Sequence, residues 1–222
     1  KLKTLPVGDA GMPAVRRVLG SSLSFKRSYL GKVLSSEKTI TVRWGLVKPL
    51  SRVVFVESQG MIYGRALICS VHHVRFSQLQ SPSLASRDGF ANVREMVESL
   101  RRIYPFASND DWFTVIEFRL LERLRNPVPK DVIVREVPRA AREALARGAW
   151  ASSQEREALA GLAAGEGLLS VVEKCNVTVS RLLEILEPYL PAHARLRGPS
   201  TGQKPPSPPR SAASAGTLGT PP

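Results

Sequence analysis

Ser36-Glu37-Lys38-Thr39-Ile40-Thr41-Val42-Arg43 is the stretch whose reading decides the fold of this chain. Ile40, Val42 and Trp44 alternate with Thr39, Thr41 and Arg43, the period-two pattern of a strand with one face turned to a core. The other face carries a cation and two short hydroxyls, and Lys38 is expected to swing toward it from the mouth of the strand. A strand that needed only solubility would carry Glu, Lys and Gln in any order. This set predicts an anion or base-edge site, with Lys38 and Arg43 on a phosphate and Thr39 and Thr41 on a base or ribose. Tyr29 is a candidate stacking face for an unpaired base. Trp44 falls on the Ile40/Val42 side and is expected in the core.

Working outward, Val53–Val56 reads as a strand, residues 57–60 as a turn, and Met61–Val74 as a longer strand. Residues 80–87, with Pro82, read as loop. Asn92–Ile103 has helical spacing on Val93, Met96, Val97 and Leu100, and Tyr104-Pro105 ends it. Trp112–Glu122 closes the set as a last strand. His72 and His73 are adjacent on a strand, face opposite ways and do not chelate one ion together, so no metal is expected. Glu117 lies in an apolar strand and is expected to pair with an arginine such as Arg43 or Arg65. No Gly-rich phosphate loop, Ser-His-Asp order or zinc spacing occurs, and no cofactor is expected.

The opening stretch resembles the signature of the ASCH domain family, G-x-K-x-x-T-x-R, with Ser36 in place of the glycine before Lys38, Thr41 and Arg43. Leu23-Ser24-Phe25, Tyr29 and Val33-Leu34 upstream are similar to that family's opening segment. Asp88-Gly89-Phe90, the run from Leu100 to Tyr104-Pro105, and Trp112–Phe118 are similar to its helix, turn and last strand. The resemblance spans residues 23–122 and implies a PUA-like β-barrel flanked by helices and associated with RNA. Some members are implied to hydrolyse the amide of acetylated cytidine with the motif lysine and threonine and a later glutamate. By position these are Lys38 and Thr41, with Asp88 beside the glutamate's place at about Gly89.

Charge supports a polyanionic partner. Of the 32 Lys+Arg and 19 Asp+Glu, residues 1–75 hold thirteen and three, a net of +10, whereas residues 76–150 contribute +2 and the rest +1. The excess therefore surrounds the Lys38–Arg43 motif, and a nucleic acid, RNA before duplex DNA, is the expected partner. Arginine outnumbers lysine 23 to 9, which fits a GC-rich prokaryotic genome. No run of eighteen apolar residues is present and no membrane association is expected. The amino end lacks a secretory apolar segment, and Met12 is an alternative start. Cys69 and Cys175 are too far apart for a metal motif. Both are expected to be buried thiols in a reducing cytoplasm.

The expected organisation is α+β: a basic lead-in (1–22), the ASCH/PUA-like barrel (23–125), a small all-α helix-turn-helix-like domain (126–195) and a disordered tail (196–222). Pro127 and Pro129 mark a linker. Pro138 opens a helix ending at Gly148, residues 152–155 form a capping box, Leu168–Cys175 is a short helix, Asn176 a turn and Thr178 a cap. Residues 153–186 resemble the helix-turn-helix of LuxR-type and sigma-factor-like regulators through Arg156-Glu157-x-Leu159, Gly165, and Val171-Val172-Glu173-Lys174-x-x-Val177-Thr178-Val179-Ser180. The resemblance implies a recognition helix exposing Ser180, Arg181 and Glu184. Against it, residues 151–190 carry three cations and six glutamates, too few positive charges to neutralise several phosphates. Pro, Gly, Ser and Thr fill eighteen of the twenty-five positions from 198 on, a composition that does not form a core.

Overall fold

The computed structural model describes residues 16–192 and 194. The first fifteen residues of the expected lead-in and the expected tail lie outside them. Two long strands dominate, β6 (Met61–Arg75) and β7 (Trp112–Pro129), introduced by β5 (Val53–Ser58). β5 turns into β6 through Gln59-Gly60, both at positive φ (52° and 75°). This is the two-residue hairpin turn whose twist matches the flanking strands. β6 then pairs antiparallel with β7, and β3 (Ile40–Trp44) pairs antiparallel with the start of β7, setting Thr41 opposite Ile116 and Arg43 opposite Thr114. β2 (Ser22–Ser24) runs parallel to β5, so the five-stranded order is β2-β5-β6-β7-β3. β1 (Arg16–Leu19) and β4 (Leu46–Pro49) form a separate parallel ribbon. Buried Thr114 ties that ribbon to β7: its hydroxyl donates to the Gly45 carbonyl at 2.6 Å and accepts from the Val47 N–H at 2.9 Å.

The expected barrel is therefore an open ladder among the described residues. β2 and β3 are its edges, joined by no backbone pairing. Arg43 bridges the gap, donating from its Nη2 to the Ser24 carbonyl across the two edges. Where β6 and β7 cross most tightly only glycine fits. A Cβ on Gly64 would lie 2.2 Å from the Glu122 carbonyl oxygen, beside a shift in register.

α1 (Arg27–Leu34) covers one side of the sheet, burying Leu30 and Val33 against Leu23, Val54, Val56, Ala66, Ile116 and Phe118. Burial of each such side chain contributes ~1.5–3 kcal/mol. α3 (Val93–Ile103), capped by Asn92, buries Met96 and Leu100 against Ile40, Val42, Phe113 and Val115. Residues 82–87, expected as loop, are helix α2 (Pro82–Arg87). The Ser81 hydroxyl caps it, Pro82 occupies its first turn and Ala85 is buried.

The last strand runs past its expected end, through Pro127 to Pro129, and pairs Ile62 with Val128 and Met61 with Pro129. The two prolines do not form a linker. α4 (Lys130–Arg135) starts at the next residue, followed by α5 (Val137–Ala146), α6 (Ser153–Ala163), α7 (Leu168–Cys175) and α8 (Val179–Leu186). The caps fall where the sequence puts them: Ser152 accepts from Glu155 N–H, Thr178 from Arg181 N–H, and Asn176 turns at φ 53°. These helices share one core with the other side of the sheet, where Leu159, Leu182 and Leu186 belong with Val53, Phe55, Ile62, Leu124 and Val128. No helix among the described residues is long and apolar enough to cross a membrane.

Candidate functional site

The motif is delivered to its place by the end of α1. Ser35 closes the helix and Ser36 takes a left-handed backbone, φ 62°, reversing the chain so that the Lys38 N–H donates to the Lys32 carbonyl at 2.9 Å. An L-residue in that conformation costs ~1–2 kcal/mol that glycine does not. The Thr39 N–H then donates to the Arg87 carbonyl at 2.9 Å, docking the mouth of β3 on the end of α2.

Lys38 does not swing to the hydroxyl face. It is 4% exposed, and its Nζ donates to the carboxylate of Asp88 (3% exposed) and, at 2.6 Å, to the Asp88 carbonyl. The Tyr29 ring lies 5.2 Å and the Phe90 ring 6.0 Å from the ammonium, and the two rings meet edge-on at 5.7 Å. Tyr29 is half-buried, with its hydroxyl 3.3 Å from Ser99 Oγ. It walls in the lysine instead of offering an open stacking face. Burial pushes the Asp88 carboxyl up to about 6 against the pull of Lys38, and burial holds Lys38 below its ordinary value despite Asp88. Taking both charges out of water outweighs their attraction.

The remaining motif residues point elsewhere. Arg43 spans β3 and β2 with its guanidinium 5.9 Å from the Phe25 ring, and its Nε is buried without a partner. Thr41 is buried, and no hydrogen bond joins it to Lys38 or Asp88 among the described residues. The structure brings Lys38 and Asp88 together but holds Arg43 apart as a strut. Trp44 is half-buried against the α3 cluster, with Tyr104 at 6.1 Å and the Arg17 guanidinium over its ring at 5.5 Å.

Thr39 faces a cleft of about 260 Å³ beside the buried pair, lined also by Ser36, Cys69, Arg87, Glu117 and Arg119. Glu117 pairs here with Arg87, not with Arg43 or Arg65, and accepts from the Ser70 hydroxyl at 2.9 Å. The Ser70 hydroxyl and Arg87 hold its carboxyl below the usual range. Arg87 Nε reaches Thr39 Oγ1 at 3.3 Å. Arg65 pairs with Glu122 instead. Cys69 is exposed on this rim, so only Cys175 of the two cysteines is a buried thiol. Sequence reasoning missed Arg87, because its helix was read as loop. It also missed Arg119, whose alternation with Glu117 and Leu121 on a strand was a legible signal.

In the helical part, the Ser180 N–H and hydroxyl donate to Glu122 Oε1 at 2.8 and 2.7 Å, and the Val179 N–H donates to Oε2 at 3.1 Å. Arg181 pairs with Glu155 at 2.8 Å and lies 3.6 Å from Glu184. All three expected recognition residues thus have partners within the chain.

These elements define a mixed α+β protein whose amino-terminal half is a sheet with helical covers and a small polar cleft at the mouth of one edge strand. Solved structures similar to part of this chain include the ASCH protein from Zymomonas mobilis, 17% identical over 53% of this chain and 78% of that one, with a TM-score of 0.41. The ASCH domain from Lactobacillus crispatus JV V101 is 14% identical over 49% of this chain and 80% of that one, with a TM-score of 0.40. A protein from Enterococcus faecalis V583 is 17% identical over 52% and 80%, with a TM-score of 0.38. No family model matches the chain, and no curated protein matches it.

Proposed function

We propose that the chain is an ASCH-type nucleic-acid-binding protein that takes one nucleotide of a single RNA strand into the cleft beside Lys38. The observation that carries this reading is the composition of the cleft rim. Arg119 is exposed with no carboxylate partner among the described residues, and the half-exposed Arg87–Glu117 pair with Thr39 sets donors and acceptors side by side. Arg119 suits a phosphate, and the Arg87, Glu117 and Thr39 set suits the edge of a base or a ribose hydroxyl. A cleft of about 260 Å³ has room for one nucleobase and none for a duplex. RNA is therefore favoured over duplex DNA, since its unpaired bases can be splayed into such a site. The test is a fluorescence-anisotropy titration of single-stranded RNA, structured RNA and duplex DNA at two salt concentrations, with the intact chain and with Arg87→Ala/Arg119→Ala. Single-stranded RNA is expected to bind best and to lose that preference in the double variant. Equal binding of all three, insensitive to the substitutions, refutes the reading.

A second reading rests on the buried pair itself. A carboxyl pushed up to about 6 against a lysine pushed down, both beside a cleft, is a pattern found at acid–base sites. It supports hydrolysis of an acylated nucleoside, with Lys38 taking a proton, Thr41 as nucleophile and Asp88 orienting the lysine. Acetate release from an N-acetylated cytidine, abolished by Lys38→Ala, is the expected result. No turnover across a panel of acylated nucleosides removes it. Duplex reading through residues 178–186 has no comparable observation in its favour, because Ser180 and Arg181 are already engaged.

A further inference from the structure

A neutralised charge lies in the wall of the cleft. Lys38 is one of the lining residues, whereas Asp88, which answers it, is not. Two bonds hold the ammonium: one to Asp88 Oδ1, and one of 2.6 Å to the Asp88 main-chain carbonyl. Only the first depends on the carboxylate charge. Asp88 Oδ2 takes part in no hydrogen bond among the described residues, so a proton on that oxygen leaves Oδ1 and the carbonyl still holding Nζ. The Tyr29 and Phe90 rings, 5.2 and 6.0 Å from the ammonium, favour a cation there whichever form Asp88 takes.

We propose that this pair makes anion binding in the cleft proton-linked: a phosphodiester entering beside Lys38 draws one proton from water onto Asp88 and faces an ammonium that is no longer neutralised. The inference rests on the cleft reading above and names how that site is regulated. A negative ligand repels the carboxylate and attracts the ammonium, so both effects favour the protonated carboxyl. Affinity must then rise as pH falls. Burial lifts the Asp88 carboxyl to about 6, against the pull of Lys38 and Arg43, which places the response near neutral pH. An ordinary surface carboxylate titrates too low to give it. The other charges around the pair are engaged. Lys32 on α1 donates to the Gly89 carbonyl at 2.6 Å and Arg43 on β3 to the Ser24 carbonyl, and both help to hold Lys38 below its ordinary value. Glu37 accepts from the Ser35 hydroxyl at 2.7 Å, and Glu95 of α3 from the Ala91 N–H at 2.9 Å. On the cleft side Arg87 and Glu117 answer each other, beside exposed Arg119. His72 on β6 is felt by Glu117 and is therefore the group to control for.

The experiment is isothermal titration calorimetry of a uridine tetranucleotide with hydroxyl ends, from pH 5 to pH 8. Its phosphodiesters keep their charge over this range, unlike a terminal phosphate, whose second ionisation falls at about pH 6. One unit charge ~6–10 Å from a phosphate, at an effective dielectric constant of ~20–40, changes affinity roughly tenfold. The intact chain should therefore bind roughly eightfold tighter at pH 5 than at pH 8. At pH 6.5 it should take up ~0.5 proton per ligand, counted from buffers of different ionisation heat. Lys38→Met/Asp88→Leu should lose most of the gain and the uptake, and His72→Gln should keep both. A gain kept by the double variant, or lost in His72→Gln, overturns the pair as its source. If the double variant does not melt cooperatively, the proton count in His72→Gln decides alone, and fewer than ~0.1 proton per ligand overturns the inference. Binding that is the same at every pH overturns the linkage and leaves the cleft standing. If the tetranucleotide binds at no pH, the cleft reading fails and the linkage with it.

Discussion

Replacing Lys38 by methionine should destabilise the protein far more at pH 8 than at pH 5. Asp88 is 3% exposed, so solvent does little to screen it once the ammonium has gone. Its carboxyl has an ordinary value of 3.8 and a folded value of about 6, and that gap amounts to about 3 kcal/mol against the folded state above pH 6. The sign follows from the direction: a folded value above the unfolded one favours the fold at low pH, and the benefit is lost as pH rises from about 3.8 to about 6. Without Lys38 the carboxyl must take a proton or stay charged and unpaired. Protonating it at pH 8 costs about 6 kcal/mol, about 3 more than the intact pair. At pH 5 Asp88 is already largely protonated in both proteins and the difference nearly vanishes. The loss of packing around Tyr29 and Phe90 is common to both conditions. Urea unfolding of the two proteins at pH 5 and pH 8 should therefore show a destabilisation that grows by up to about 3 kcal/mol, and Lys38→Met/Asp88→Leu should remove most of that growth. A destabilisation that is the same at both pH values would refute the buried pair as the source.

Glu122→Gln should cost about 2–4 kcal/mol, since it strips charge-assisted bonds from the first N–H groups of α8 and from Arg65. Burial alone would raise the Glu122 carboxyl, but Ser180, Val179 and Arg65 together hold it below 4.5, so its contribution is complete above 4.5 and is lost as pH falls through the lower folded value. Thermal melting of both proteins at pH 7 and pH 3 checks this, and the gap between them should shrink at pH 3. Ser36→Gly should stabilise by ~0.5–1 kcal/mol by relieving a left-handed backbone, read from the urea midpoint. Arg43→Ala should cost ~1–3 kcal/mol by removing the contact between the sheet edges, yet leave the salt slope of RNA binding unchanged. A flattened slope would return Arg43 to the phosphate site.

Much of the architecture is written locally and was legible for that reason. The strand pattern from Ile40, the cap at Asn92, the stop at Tyr104-Pro105 and the caps at Ser152 and Thr178 each depend on a few adjacent residues. Partners chosen across long separations were not legible. Glu117 selects Arg87 over Arg43 and Arg65 because β3 enters beside α2, and α2 itself was hidden in a serine-rich stretch that reads as loop. Pro127 and Pro129 signal a break by composition. They are tolerated where β7 pairs on one side only, so the strand runs straight into α4. The motif lysine was assigned to the wrong face for a related reason. Asp88 lies fifty residues away, and a carboxylate brought that close holds the ammonium more firmly than two hydroxyls on its own strand.

These partner choices also decide where a polyanion can be held. The first N–H groups of α8 are the positive end of a helix, the place where an anion would otherwise settle. Glu122 fills it from the sheet, and Arg181 beside it is answered by Glu155, which it holds below the usual carboxylate range. The lysine of the motif is answered by Asp88 and Arg43 is spent between two strand edges. Each cation the sequence patterns pointed to is thus neutralised or occupied. Arg119 on β7 keeps its charge without a carboxylate partner among the described residues, at the rim of the cleft beside Lys38. On the reading proposed above, a nucleic acid would therefore be held at that cleft on the sheet and not by the helices packed against its other side.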